Sequence, residues 1–260
     1  MSLNLANVGL PVALIDGAGK LDKSIIYLND INDDDNEFMK TFQDLELENG
    51  VFRMLPDTEK DRALAMTIIG PAGSGKSYYL SGLLDTYHKI FPKHQVYLFS
   101  EKDYDENLKQ KYIKRIPINE ELLEDPIQFT ELQDKAKQNG GMLIIFDDID
   151  SISDKKLRAN VYQMIDKCFK LGRSFHINII CTIHNYNGKE STTLLNECTS
   201  LTFFGQNWNR SLDYLTKQYC GFSNKTIAKI RSNTKTRATT LLKTFPQILL
   251  QSNKVFIVKN

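Results

Sequence analysis

The chain has 260 residues, 41% hydrophobic and 25% charged, an ordinary globular composition with length enough for one α/β domain and a small appendage. Its longer apolar runs, such as Leu10–Ile15 and Met142–Phe146, fall far short of a membrane span, and the N-terminus lacks the basic flank and long apolar stretch of a signal peptide. The net charge of +1 hides an asymmetry: residues 207–260 carry ten Lys or Arg against Asp213 alone (+9), and the first 206 residues carry 23 basic and 31 acidic residues (−8).

A basic C-terminal third suits either a polyanion surface or a solvated tail, and charge alone does not choose between them. Cys168, Cys181, Cys198 and Cys220 are widely spaced with no C-x-x-C pair, which favours free thiols in a reducing compartment over disulfides or zinc.

In chain order, residues 1–64 read as a lead-in with short strands, packed on a core domain of residues 65–260. Ser24–Leu28 reads as a strand, Asn29–Glu37 as an acidic solvated turn, and Phe42–Phe52, with Asn49-Gly50, as a hairpin. Ala65–Ile69 is then a short buried strand. After it comes Gly70-Pro71-Ala72-Gly73-Ser74-Gly75-Lys76-Ser77, the G-x-x-x-x-G-K-[ST] form of a phosphate-binding loop. Leu80, Leu83, Leu84, Tyr87 and Phe91 recur on one helical face behind it, so the glycines fall between a strand and a helix N-terminus. There the free N–H groups and the helix dipole favour phosphate. Lys76 is expected to reach the β- and γ-phosphates, Ser77 to bind Mg²⁺, and the loop through Tyr78 to surround the nucleotide.

Gln95–Ser100 reads as a second buried strand, and residues 101–140 as polar and partly helical, stopped by Gly140-Gly141. Met142–Phe146 then runs into Asp147-Asp148, an apolar strand that delivers carboxylates at the edge where α/β sheets bind ligands. Asp147 is expected to hold the metal's water shell and Asp148 to orient or deprotonate the attacking water. Asp150 is assigned to a helix cap or to supporting the site from behind. Ser151–Gly172 reads as a helix with Leu157, Val161, Met164, Ile165 and Cys168 as its core stripe. Ile177–Ile183 is a buried strand ending at His184, which fits a γ-phosphate sensor better than a bare surface histidine. Leu201–Gly205 follows as a strand, Ser211–Gly221 and Asn224–Ser232 as helices. Gln247–Gln251 and Val255–Lys259 form a terminal hairpin about Ser252-Asn253.

Together these residues resemble the DNA-packaging ATPases of large nucleocytoplasmic DNA viruses, the poxvirus-type branch of the FtsK–HerA superfamily. The resemblance rests on Ile69–Ser77, Tyr97–Ser100 with Glu101–Asp105, Phe146–Asp150, Leu171–His176, Thr182–Asn185, Leu195–Glu197, Phe203-Phe204 and Phe245–Gln247, and so spans about residues 40–260. It implies a RecA-like P-loop NTPase fold: a central, mostly parallel sheet of order 5-1-4-3-2 flanked by helices, with the C-terminal hairpin added. It also implies ATP and Mg²⁺ as ligands and a homo-oligomeric ring, pentameric or hexameric, around double-stranded DNA. A capsid or portal-vertex partner is implied as well, with a location in the host cytoplasm, its viral factory, or the virion.

Lys76, Ser77, Asp147 and Asp148 take the phosphate, metal and catalytic positions of that family, and His184 the place of its polar sensor. Two departures stand out. Asp148 occupies a position where many related ATPases have Glu, one methylene longer. Ser174 and Phe175 intervene between Arg173 and His176, where many members have the histidine immediately after the arginine. A ring ATPase takes a positive charge from its neighbour at the γ-phosphate, for which Arg173 and Arg210 are candidates, with Arg158 and Arg237 behind them. Lys225, Lys229, Arg231, Lys235 and Arg237 are the densest basic cluster and the expected DNA contacts. A GTPase is disfavoured because neither Asn224-Lys225 nor Asn253-Lys254 continues into the N-K-x-D base-recognition motif. An ABC-type ATPase is disfavoured because Leu80-Ser81-Gly82-Leu83 lies inside the first helix. A nucleoside or nucleotide kinase, and a nucleotide-gated DNA loader without processive movement, stay as alternatives.

Overall fold

The computed structural model describes residues 1–29, 40–56, 63–186, 188–204, 209–233 and 237–258. Residues 30–37 of the expected acidic turn and Lys235 of the basic cluster lie outside them. The chain divides into two compact units, residues 58–201 and residues 1–57 with 202–260. The N-terminal segment and the basic C-terminal third therefore share one unit.

In chain order the strands and helices are β1 (Ser2–Asn4), β2 (Leu10–Asp16), β3 (Ile25–Asn29), β4 (Thr41–Phe42), β5 (Asp44–Glu46), β6 (Val51–Met54), β7 (Ala65–Ile69), α1 (Lys76–Ile90), β8 (Gln95–Ser100) and β9 (Ile113–Pro117). They continue with α2 (Glu120–Glu124), α3 (Phe129–Asn139), β10 (Met142–Phe146), α4 (Lys155–Leu171), β11 (Ile177–Ile183), α5 (Ser191–Glu197) and β12 (Ser200–Phe204). The last are α6 (Arg210–Cys220), α7 (Asn224–Asn233), β13 (Ala238–Leu242), β14 (Ile248–Gln251) and β15 (Lys254–Ile257).

In the unit of residues 58–201, every residue of β7, β10 and β11 is buried, as a parallel sheet with helices on both faces requires. Strands β7, β11, β10, β8 and β9 lie side by side in that order, with parallel pairing throughout. With β12 beside β7, this is the expected 5-1-4-3-2 order plus one strand, β9, outside strand 2. Residues 113–117 were expected only as part of a polar stretch. β9 is an edge strand, half in solvent, and Ile113-Lys114-Arg115-Ile116-Pro117 is too short to show a period.

Register is what builds the site. Phe146 pairs with Cys181 on one side and Phe99 on the other, and Ile183 pairs with Ile69. The residues just past these partners, Gly70, Lys102, Asp147, Asp148 and His184, consequently emerge together at the C-terminal edge of the sheet.

Helix α1 is held beneath that edge. It buries Leu80, Leu83, Leu84 and Tyr87, four of the five expected stripe residues, while Phe91 caps its end half-buried. The Tyr87 hydroxyl accepts from Asn178 Nδ2 at 2.8 Å and lies 2.7 Å from His94 Nδ1. His94 Nε2 faces the Gly140 carbonyl at 3.1 Å and must donate to it, so Nδ1 accepts the tyrosine proton. Helix α4 starts at Lys155 rather than Ser151. Residues Ile149–Ser151 form a separate 3-10 turn, and Asp154 caps α4 by accepting from Leu157 N at 2.7 Å. Its stripe of Leu157, Val161, Met164, Ile165 and Cys168 is buried as expected.

In the other unit, β4, β1, β3, β2 and β6 form one antiparallel sheet, and β13, β14, β15 and β5 a second run. The terminal hairpin is present as β14–β15. The hairpin expected over Phe42–Phe52 is not: β5 pairs with β15 and β6 with β2. Asn49-Gly50 read as a hairpin turn, but Gly50 serves a different close approach. Its φ is +87°, and a Cβ there would meet the Asp16 carbonyl oxygen at 2.7 Å.

Candidate functional site

The loop Gly70–Gly75 leaves β7 and opens α1, with Gly73 at φ +73° and Gly75 at φ +103° as the residue preceding the helix. No side chain caps α1, so its first-turn N–H groups point into the loop without a capping partner. Pro71, Ala72 and Gly73 are exposed on the rim, and Tyr78, in the first turn, keeps 77% of its surface in solvent.

Lys76 is buried, and its ammonium donates to the Gly70 carbonyl at 2.9 Å. Burial lowers its pKa, and the nearby Asp148 charge offsets part of that. It stands 3.1 Å from His184 Nδ1 and 3.4 Å from Asp148 Oδ1, and His184 Nε2 is 3.1 Å from the same Asp148 oxygen. An ammonium only donates, so Nδ1 accepts and Nε2 carries the proton to Asp148. Lys76, His184 and Asp148 form a closed triangle.

The two aspartates have different surroundings. Asp147 is buried, and one oxygen accepts from the Thr182 hydroxyl at 2.8 Å. Its other oxygen, Oδ2, is buried with no hydrogen-bond partner, 3.9 Å from Lys102 Nζ. Burial raises the Asp147 pKa and the Asp148 charge adds to it. A buried carboxylate oxygen without a donor is the group a divalent cation or its water shell would satisfy, so Asp147, with the Ser77 hydroxyl in the first turn of α1 as a second oxygen, fits a magnesium ion. Burial also pushes Asp148 up. Lys102, donating to its Oδ2 at 2.6 Å, together with Lys76 and His184, outweighs that and holds its pKa below the ordinary value.

Asp148 sits at φ +51°, a strained conformation for a residue with a side chain, and its N–H donates to Thr182 Oγ1 at 2.8 Å. A single threonine on β11 therefore fixes both acids at the end of β10.

Of the two roles read for Asp150, it supports the site from behind and caps no helix. Its carboxylate accepts from the N–H of His184 at 3.0 Å and of Asn185 at 2.7 Å, fixing the turn that carries the histidine. Two contributors had no role in the sequence reading: Lys102 and Thr182. Thr182 was legible only as a polar residue in an apolar strand, which needs a buried partner.

Of the arginine candidates, Arg173 lies exposed in the 3-10 turn Gly172–Phe175, before β11 begins. His184 follows the other end of that seven-residue strand, so Arg173 is about 20 Å along the sheet from its own chain's triangle. Arg158 is 3.6 Å from Glu190. Arg210, Lys225, Lys229, Arg231 and Arg237 belong to the other unit and are exposed. Helix α7 buries Thr226, Ile227 and Ile230 and turns Lys225 and Lys229 to solvent, whereas Arg231 is 3.7 Å from Asp213.

The profile of the poxvirus A32 protein family matches residues 56–245. Over 254 residues the chain is 33% identical to the uncharacterized protein V3 of Sputnik virophage, covering 96% of each chain. The crystal structure of B204, the DNA-packaging ATPase from Sulfolobus turreted icosahedral virus, is similar with a TM-score of 0.52 and 14% identity, covering 75% of this chain and 97% of that one. The genome packaging NTPase B204 from Sulfolobus turreted icosahedral virus 2, in complex with AMPPCP, gives a TM-score of 0.51 at 12% identity over 75% and 99%. At these identities the two structures establish the shared P-loop fold.

Thr182→Val keeps the shape but leaves a buried carboxylate oxygen and the Asp148 N–H without a partner, for an expected loss of about 2–4 kcal/mol of stability. Urea unfolding measures it, and an unchanged midpoint would mean the threonine does not hold the acids.

Proposed function

The chain belongs to the poxvirus A32 protein family, and from that premise we propose that it is an ATPase that drives a viral genome into its capsid. The single observation that carries the reading is the convergence of Lys76, His184 and Asp148, beside an Asp147 oxygen that lacks a donor. The phosphate loop and Lys76 bind the β- and γ-phosphates of ATP, and Tyr78 lies against its base. Ser77 and Asp147 hold Mg²⁺, which when bound neutralises charge on the phosphate oxygens.

Lys76 rests on Asp148 and His184 in the nucleotide-free site, so a phosphate entering the loop draws it off both. Asp148 Oδ1 then keeps only the His184 hydrogen bond and has a lone pair left to accept a proton from the attacking water, with its backbone held by Thr182. His184, hydrogen-bonded to Lys76 and Asp148, reports whether the terminal phosphate is in place. Aspartate is one methylene shorter than glutamate, and the positive φ at 148 contributes to carrying the carboxylate forward.

In this reading the chain works as a ring, a pentamer or hexamer, on double-stranded DNA, with a capsid or portal-vertex protein as its partner. The site of action is the host cytoplasm, in viral factories, or the virion. Four buried free cysteines are compatible with that reducing setting, and no helix among the described residues is long and apolar enough to cross a membrane. Arg173, exposed and far along the sheet from its own site, is the first candidate to serve a neighbour's, and Arg210 is the second. Lys225, Lys229 and Arg237, with Lys235, grip DNA phosphates without reading bases, and Arg231 contributes less because Asp213 already engages it.

Hydrolysis should rise on adding long duplex DNA, and Lys76→Ala or Asp148→Asn should each lower it by about 100-fold or more. Hydrolysis indifferent to DNA would point to a kinase-like enzyme, and nucleotide-dependent DNA binding without turnover to a loader. Neutralising Lys225, Lys229 and Arg237 together should reduce the dependence of log affinity for duplex on log salt by about 2–3, near 0.9 per phosphate contact. An unchanged slope would remove that surface from the account.

A further inference from the structure

Lys102 lies in the Glu101–Asp105 segment of the resemblance, but the sequence reading gives it no role. It lies two residues past Ser100, the last residue of β8, and the pairing of Phe99 with Phe146 brings that end beside Asp147 and Asp148. The backbone around it is held. Its N–H donates to Ser100 Oγ at 3.2 Å, and its carbonyl accepts from Arg115 Nη1 of β9 at 2.8 Å. Its side chain is half-exposed and long.

The two lysines of the site take opposite oxygens of one carboxylate. Lys76 stands 3.4 Å from Asp148 Oδ1 and Lys102 2.6 Å from Oδ2. A carboxylate flanked in this way occupies the place of a more highly charged anion. A terminal phosphate presents oxygens in a similar fork and carries more charge, so it competes for both ammonium groups. The Lys102 ammonium also lies 3.9 Å from the donorless oxygen of Asp147, where a bound cation would repel it. Movement toward an incoming anion relieves that repulsion and keeps the lysine paired, although the Asp105 carboxylate also acts on it.

We propose that Lys102 binds the terminal phosphate of the nucleoside triphosphate in cis, on the side opposite Lys76. This rests on the nucleotide-site reading above. It gives the site, from its own chain, part of the positive charge that ring ATPases draw from a neighbour. It also makes the segment after β8 respond to the presence of a third phosphate.

The test is a binding cycle with magnesium and either ADP or the non-hydrolysable adenosine β,γ-imidotriphosphate. It uses wild type, Lys102→Met, Asp148→Asn and the double variant, with thermal melts to confirm folding. Lys102→Met should weaken the triphosphate roughly ten- to hundred-fold while ADP changes less than about two-fold. The selective loss should persist in the Asp148→Asn background, where no unpaired carboxylate can repel the phosphate. Three results would overturn the proposal: an unchanged triphosphate affinity, an equal loss for ADP, or a loss that vanishes when Asp148 is neutral. Failure of wild type to bind the triphosphate would instead sink the nucleotide reading itself, and this proposal with it.

Discussion

A carboxylate cannot be taken out of water alone, and the organisation of the site follows from how Asp148 is kept charged. Its burial would favour the neutral acid, and Lys102, Lys76 and His184 reverse that. Each of those groups arrives from a different element: the end of β8, the start of α1, the end of β11. The pairings of β10 with β8 and β11 decide whether the three can meet, since a slip of one residue would turn every side chain to the other face. Asp147 shows the other half of the constraint. It is deeper, receives only the Thr182 hydroxyl, and keeps one oxygen without a donor. The pair is therefore incomplete as it stands, one acid over-supplied with cations and its neighbour short of one.

That local tension is bearable because the sheet beneath is rigid. β7, β10 and β11 are buried along their whole length, and the Tyr87–Asn178–His94 hydrogen bonds tie α1 to the strands below it. The positive φ of Asp148 persists because Thr182 and the 3-10 turn after it hold the backbone on both sides. An element free to relax would release the strain and lose the aim of the carboxylate. In this reading an entering triphosphate redistributes charge among groups already in place, with little cost of ordering.

The sequence was most readable where chemistry and local geometry coincide. Gly70–Ser77 is legible because a strand, a glycine turn and a helix must follow one another to bind phosphate. Met142–Asp148 is legible because a fully apolar strand ending in acids has few other uses. The strands and helices around them followed from periodicity, and the 5-1-4-3-2 order from the family resemblance. The role of Lys102 was not legible, although its segment belongs to the resemblance, because that role comes from a pairing between strands some 45 residues apart in sequence. β5 and β6 were misread for a related reason. A hairpin reading assumes that neighbours in sequence pair with each other, whereas both strands pair with distant ones. β1, β2 and β13 went unread because each is short or irregular in pattern and gains stability only from its sheet.

The most direct test of the central claim is a crystal structure with magnesium and a non-hydrolysable ATP analogue, read at one distance. Lys76 Nζ should have left Asp148 Oδ1 for the phosphate oxygens, with the metal against the free oxygen of Asp147. Nucleotide in the loop with Lys76 still resting on Asp148, or nucleotide bound elsewhere, would contradict the account.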